Sequence, residues 1–297
     1  MVKVDVSHLD HDAALADKSE YKEMEFRFTD RDFKYLRELV SRETGIVITE
    51  SKRQMIYSRL SRRLRSLNLR DFRDYCLIVE EDIDGELNSF INAITTNLTS
   101  FFREPHHFDY LKDVVVPGLL EKNASTRRIR VWSAGCSTGE EPYSIAMTMA
   151  EALPPESGWD WRILATDIDT EVLAKAEQGI YPQERAAAFG QSLLKRWFRR
   201  GNGENQGMIQ VAPELRKQVT FRKQNLMEEW PVRGPIDVLF CRNVVIYFDK
   251  DTQRRIFAKF AALMEQGACL FIGHSESLYK VSEHFELLGQ TIYRKKT

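Results

Sequence analysis

The sequence predicts an α/β fold: a doubly wound, mainly parallel sheet with an inserted small antiparallel β-subdomain, preceded by a small all-α N-terminal domain. Three observations predict it. From Arg127 onward, short apolar strand patterns alternate with helical ones, the signature of parallel strands covered on both faces. Between residues 28 and 98 the apolar spacing is helical throughout. Between Gln178 and Val219 the alternation gives way to a strand, a Gly/Asn turn and a second strand, which reads as a hairpin insertion.

Taken in order, residues 1–27 are rich in Asp and Glu, with too few large apolar groups to offset their ordering entropy, and read as a mobile leader. In 28–98 the apolar stripes are Phe33, Leu36, Leu39 and Val40, then Met55, Ile56, Leu60 and Leu64, then Phe72, Tyr75 and Ile78, then Leu87, Phe90, Ile91 and Ile94. Thr29 and Asp71 are N-cap candidates, and Gly45 and Gly85 fall at breaks. Residues 99–126 read as linker and connecting helix, with Pro117 and Gly118 marking a bend or an end. The domain over 127–297 opens with a strand at 129–133, a helix at 142–152, a strand at 162–166 and a helix at 171–178. Strands at 219–222 and 236–241, a helix at 252–264, a strand at 268–272 and a closing hairpin over 285–294 complete it. The insertion falls at about 195–218, with strands at 196–200 and 208–211.

A chain of 297 residues, 43% hydrophobic, can bury a substantial core. Its net charge of −1 argues against a protein that coats nucleic acid. Cys76, Cys136, Cys241 and Cys269 make no CxxC pair and lack a His at ligand spacing, so they read as reduced thiols, with no metal expected. Neither a signal-like apolar run nor a bilayer-length one occurs, which points to a cytoplasmic protein without membrane insertion.

The segment IRVWSAGCSTGEEPYSIAMTM, from Ile129 to Met149, carries the chemistry. A strand, a glycine turn and a helix start usually cradle a phosphate. Here Glu140 and Glu141 stand where that phosphate would lie. At about 4 Å and an effective dielectric near 20, like charges repel by roughly 4 kcal/mol, more than a helix end returns. The G-x-G-x-x-G and P-loop spacings are also missing. The turn therefore suits a nucleoside without phosphates and with positive charge, such as S-adenosylmethionine; a plain tight turn is the alternative.

Further candidates follow the strand ends. Asp167 is placed to accept ribose hydroxyls, while Asp169 is a cap for the next helix. Asn225 and Leu226 could hold an adenine edge and face. After the strand ending at Cys241, Arg242, Asn243 and Tyr247 could orient an anionic acceptor, although Tyr247 also suits a packed core aromatic. Asn97, Thr99 and Arg103 lie where a lid would start, or a helix-capping linker. His106 and His107, adjacent at a helix start, read as caps or packing groups rather than a general base.

Five ordered blocks then make a resemblance: NLTSFFREPHHF from Asn97, SAGCSTGEEPYSIAM from Ser133, ATDIDTEVLAKA from Ala165, FCRNVVIYFD from Phe240 and GHSESL from Gly273. Together they resemble the CheR family, the chemotaxis receptor glutamate methyltransferases. The resemblance implies a class I methyltransferase (Rossmann-like) domain with a β-subdomain, behind an all-helical domain. It implies S-adenosylmethionine as cofactor and S-adenosylhomocysteine as product. Asn97, Thr99, Arg103, Gly135, Glu141, Asp167, Asn225, Leu226, Arg242 and Asn243 would contact or frame the cofactor, with Arg103 and Tyr247 near the reacting centre. Ser137 departs from the glycine common in other methyltransferases, which bears on how closely the backbone approaches the cofactor. An acceptor glutamate, with a reference pKa near 4.3, is already ionised at pH 7 and needs no base. Alignment and exclusion of water then carry catalysis.

Lys52 to Arg73 holds eight basic residues against one acid. This run is either a solvated face or, through Arg59, Arg62, Arg63 and Arg65, a surface for acidic receptor helices; nucleic acid is not expected. The hairpin is either decoration or an edge for a receptor's C-terminal peptide, as in some members of the family. A methyltransferase for RNA or a small carboxylic acid, and a non-catalytic cofactor-binding adaptor, are the competing functions.

Overall fold

A computed structural model describes residues 24–187 and 189–296, so most of the expected leader lies outside the described residues. The chain separates into two compact units: the described residues up to Leu39 with Ile48–Ile94, and Val40–Val47 with the chain from Thr95 onward.

Helix α1 (Asp30–Thr44) as far as Leu39, with α2 (Arg53–Ser66), α3 (Phe72–Glu80) and α4 (Glu86–Ile94), supplies the first unit. Thr29 Oγ1 accepts the Asp32 N–H at 3.2 Å while Asp32 accepts the Thr29 N–H at 2.8 Å, a reciprocal box that starts α1. Asp71 caps α3 by accepting the Asp74 N–H. Phe28, Phe33, Tyr57 and Phe72 form the aromatic centre, the closest pair being Phe28 and Phe72 at 4.3 Å between centroids. The expectation of a mobile leader to residue 27 is corrected at its end. Phe26 is buried and its N–H donates to the Tyr57 hydroxyl at 3.1 Å, because one aromatic ring among acids is enough to anchor a chain end.

Among the described residues, the second unit is built on a seven-stranded sheet. Its strands are β1 (Arg128–Ala134), β2 (Asp160–Asp167), β6 (Val219–Lys223), β7 (Ile236–Cys241), β8 (Met264–Ile272), β9 (Phe285–Gly289) and β10 (Ile292–Lys295), in the order β6-β2-β1-β7-β8-β10-β9. The run from β6 to β8 is parallel, and β10 is antiparallel to both β8 and β9. Strand order reverses between β1 and β7, so the ligand edge is the C-terminal end of those two strands. Both faces are covered. Trp132, Leu239 and Leu270 pack with Phe257 and Phe260 of one helix (Lys250–Leu263), while Val131, Val238 and Phe240 pack with Ile145 and Met149 of another (Glu140–Ala152). The period-2 alternation of the strands sorts these residues to opposite faces.

The connecting helix runs without the expected break at Pro117. Its segments are α5 (His106–Tyr110), a π-helical stretch (Leu111–Val115) and α6 (Val116–Lys122). The Val116 N–H bonds the Leu111 carbonyl, five residues back, and this widened turn admits a proline that an α-helical ladder would reject. α7 is the helix Glu140–Ala152 and α8 is Thr170–Gln178. Beyond α8 lies a second, three-stranded sheet of β3 (Ile180–Pro182), β5 (Met208–Val211) and β4 (Phe198–Arg200), antiparallel throughout. Strand β3 was not anticipated, since three residues carry no readable period. Arg196 and Trp197, expected in a strand, instead end helix α9 (Gln191–Trp197).

Candidate active site

The turn after β1 is fixed by its backbone. Gly135 has φ +83°, and its N–H and that of Cys136 both donate to the Thr166 carbonyl, at 2.7 and 2.9 Å. A Cβ on Gly135 would lie 2.3 Å from Val244 Cγ2, so the approach of the β7 loop requires glycine. Ser137 adopts φ +50°, a left-handed conformation costing a non-glycine residue roughly 1–2 kcal/mol. Two bonds hold it there: its N–H donates to Asp167 Oδ2 at 2.7 Å and its hydroxyl to the Asn97 carbonyl at 3.0 Å. The glycine-like backbone is thus reached with a serine.

The two candidate acids at and after the end of β2 differ. Asp169 caps α8 through Oδ1, which accepts the Glu171 and Val172 N–H groups, and its Oδ2 accepts from Thr95 Oγ1 and Asn97 Nδ2, both at 2.7 Å. Asp167 is buried and takes backbone N–H groups of Asp169 (3.0 Å) and Ser137. Burial pushes its carboxyl up and these N–H groups pull it partly back. A carboxylate with about four acceptor positions keeps capacity for a hydroxyl.

The two glutamates of the α7 start part company, which corrects the expectation that both stand at the phosphate position. Glu140 is fully buried, paired with Arg185 at 2.7 Å and accepting from Thr138 Oγ1 at 2.6 Å. Glu141 accepts from Ser133 Oγ at 2.8 Å and pairs with Arg242 at 3.2 Å. Burial raises its carboxyl, and Arg242 opposes that rise. One carboxylate, held by a cation, therefore remains on this side of the turn, because adjacent helical positions diverge by about 100°.

Arg242 is the hub. Buried over the Phe108 ring at 5.6 Å, it pairs with Glu141, donates through Nη2 to the Arg103 carbonyl and lies 3.3 Å from Glu104 Oε2. Arg103 folds its own guanidinium onto the Leu98 carbonyl at 2.9 Å. It is bracketed by Phe102 and Glu104 at φ +50° and +58°, strain of order 1–3 kcal/mol each that tertiary contacts must over-determine. Thr99 is half-buried in the same loop.

The β7 loop is gripped by Glu276, a residue of the GHSESL block that no local pattern marks out. Its carboxylate accepts N–H groups of Gly273 (2.6 Å), Asn243 (2.8 Å), Val245 (2.9 Å) and Ile246 (3.3 Å). Asn243, at φ +58°, lies so close to Gly273 that a Cβ there would meet Asn243 Nδ2 at 2.4 Å. Half-buried Tyr247 ends the 3₁₀ turn of this loop, and its carbonyl accepts the Val47 N–H. Asn225 engages its side chain internally: Nδ2 donates to the Glu43 carbonyl at 2.7 Å and Oδ1 accepts the Met227 N–H at 3.0 Å. That leaves its backbone, with buried Leu226, as the surface a base could meet.

His107 is buried with Nε2 3.0 Å from the Gln290 carbonyl, and burial followed by the Arg242 charge lowers it to about 4. Ligand-capable atoms of Glu104, His106 and His107 lie within 4.8 Å of one another. Arg242 Nη2, 3.3 Å from Glu104 Oε2, already sets a positive charge beside this cluster.

A parallel sheet with an antiparallel strand set between its last two members, a glycine turn after β1 that lacks the dinucleotide and P-loop spacings, and an acid ending β2 define an S-adenosylmethionine-dependent methyltransferase. Residues 97–294 match the family model described as CheR methyltransferase, SAM binding domain, and residues 31–95 match CheR methyltransferase, all-alpha domain. The chain is 48% identical over 274 residues to chemotaxis protein methyltransferase 2 of Pseudomonas aeruginosa, covering 91% of this chain and 94% of that protein. It is 45% identical over 267 residues to the chemotaxis protein methyltransferase of Escherichia coli, covering 89% and 91%. The chain belongs to the CheR methyltransferase family.

Proposed function

We propose that this enzyme transfers the methyl group of S-adenosylmethionine to glutamate side chains of chemotaxis receptors in the cytoplasm, forming methyl esters for sensory adaptation. The relatives named chemotaxis protein methyltransferase support the setting. The observation that supports the acceptor is that Arg242 Nη2 bonds the Arg103 carbonyl while Glu276 accepts the Val245 and Ile246 N–H groups, so the loop that bears the Arg103 guanidinium and the loop that bears the Tyr247 phenol are each held in place. Such groups orient an anion without abstracting a proton, and a carboxylate acceptor needs no base.

The cofactor supplies a methyl group on a cationic sulfur. Asp167 would accept from the ribose, Leu226 would pack on the base, and Gly135 with Asn97, Thr99, Glu141, Asn243 and Arg242 would frame the rest. Tyr247 orients the acceptor through a phenol hydrogen bond, and Arg103 holds a carboxylate at the edge, the cofactor's own or the acceptor's. Too strong a clamp would blunt the nucleophile, which suits a phenol better than a second cation at the reacting oxygen. The helix α2 surface for acidic receptor helices reduces to Arg62 and Arg65. Arg63 is forked onto buried Glu86 at 2.5 and 2.9 Å, and Arg59 donates to the Ile94 carbonyl. Arg65 meets Glu25 on an exposed face. A receptor tail peptide would add to the outer edge of β4; tail binding that survives deletion of the β4–β5 hairpin contradicts this.

Incubation with methyl-labelled cofactor and receptor-containing membranes should yield label released as methanol by alkali. Label that resists alkali refutes the ester. Tyr247→Phe should lower turnover roughly tenfold with S-adenosylhomocysteine affinity within threefold; equal losses in both would remove Tyr247 from the acceptor side.

A further inference from the structure

We propose that Glu104 is a positioning residue for methyl transfer, acting through Arg103 with the acceptor's carboxylate as the one Arg103 holds; the proposal rests on the function given above and deepens it. Glu104 has no role in the cofactor or acceptor contacts assigned so far, yet its carboxylate ties together three segments of the site. Oε1 accepts from His274 Nδ1 at 2.8 Å and from the His274 N–H at 3.3 Å. Oε2 lies 3.3 Å from Arg242 Nη2 and 3.5 Å from His107 Nδ1. The same Arg242 nitrogen donates to the Arg103 carbonyl, so one guanidinium grips two consecutive residues, one by backbone and one by side chain.

Geometry makes this grip necessary. Glu104 sits at φ +58° and Phe102 at φ +50°, so Arg103 is displayed between two left-handed non-glycine residues, a conformation that an unrestrained loop would abandon. Phe102 is restrained by its N–H to Ser144 Oγ at 2.9 Å. Glu104 is restrained by the Arg242 and His274 contacts. His274 follows Gly273, which packs against Asn243, so the grip also joins the Arg103 loop to the loop that carries Tyr247. The carboxylate is 11% exposed, and although burial raises it, His274 and Arg242 together bring it below the ordinary glutamate value. An ionised Glu104 is therefore the resting form at neutral pH, and its charge faces Arg242, the same guanidinium that bonds the Arg103 carbonyl.

The test is a double-mutant cycle on the full-length protein, measured as single-turnover transfer of labelled methyl to receptor membranes, with S-adenosylhomocysteine affinity from calorimetry. Glu104→Gln should slow transfer by tenfold or more, with affinity for S-adenosylhomocysteine held within threefold. In an Arg103→Ala background the same change should slow transfer by less than twofold, since the group it positions is gone. Amide hydrogen exchange over 98–104 should speed by tenfold or more in Glu104→Gln. Transfer at the wild-type rate by Glu104→Gln, a loss that multiplies fully in the Arg103→Ala background, or a loss lying mainly in cofactor affinity would each overturn the proposal. Should wild-type protein form no ester on receptors, the functional reading falls instead, and the exchange measurement still decides whether Glu104 holds the loop.

Discussion

Replacing Glu276 by glutamine tests whether one carboxylate organises the acceptor loop. Each of its oxygens accepts two backbone N–H groups, Oε2 from Gly273 and Asn243 and Oε1 from Val245 and Ile246. In glutamine one oxygen becomes an NH₂ group, so two N–H donors lose their acceptor and face another donor. Each unsatisfied buried donor costs about 1–3 kcal/mol, and removal of a buried charge returns part of that, leaving a net loss of about 3 kcal/mol. For a domain of roughly 150–250 residues this is a fall in Tm of about 6–12 °C. All five tryptophans, Trp132, Trp159, Trp161, Trp197 and Trp230, lie in the second unit, so tryptophan fluorescence during thermal unfolding reports on it. Because Val245 and Ile246 lead directly into Tyr247, turnover should fall roughly tenfold at a temperature where the variant is fully folded. A Tm within 2 °C of wild type, together with turnover within about twofold, would refute the claim that Glu276 organises this loop.

Ser137→Gly relieves a left-handed serine but gives up the hydroxyl bond to the Asn97 carbonyl and adds freedom to the unfolded chain. Stability should stay within about 1 kcal/mol and S-adenosylhomocysteine affinity within about threefold, by calorimetry; a tenfold change in affinity would mean the side chain, not the backbone conformation, meets the cofactor. His107 gives a pH signature. An unfolded histidine titrates near 6.5 and His107 at about 4, so on acidification the unfolded chain takes up the proton first. Its contribution to stability is complete above about pH 7 and is lost between about pH 6.5 and 4, to a total of about 3 kcal/mol. Urea midpoints of wild type should therefore fall more steeply over that window than those of His107→Gln, and parallel curves would show that His107 is not held neutral.

Much of this fold was legible because it is written in local patterns. The 2.0 and 3.6 periods placed the parallel strands and covering helices, and the breaks between them marked the turns. The places of Gly135, Asp167 and Arg242 at or just past strand ends were readable because the period of each strand shows where it stops. The side on which Glu140 and Glu141 face, the engagement of Arg63 by Glu86, and the short strand β3 depend on partners distant in sequence, and no local pattern carries them. The same holds for the left-handed backbone at Ser137 and Glu104, which tertiary hydrogen bonds impose against local preference. Sequence alone determined which chemical groups were present and at which strand ends. Tertiary structure decided which of them remain available, because each buried charge must first find its counter-charge or its N–H donors, and those lie far away along the chain.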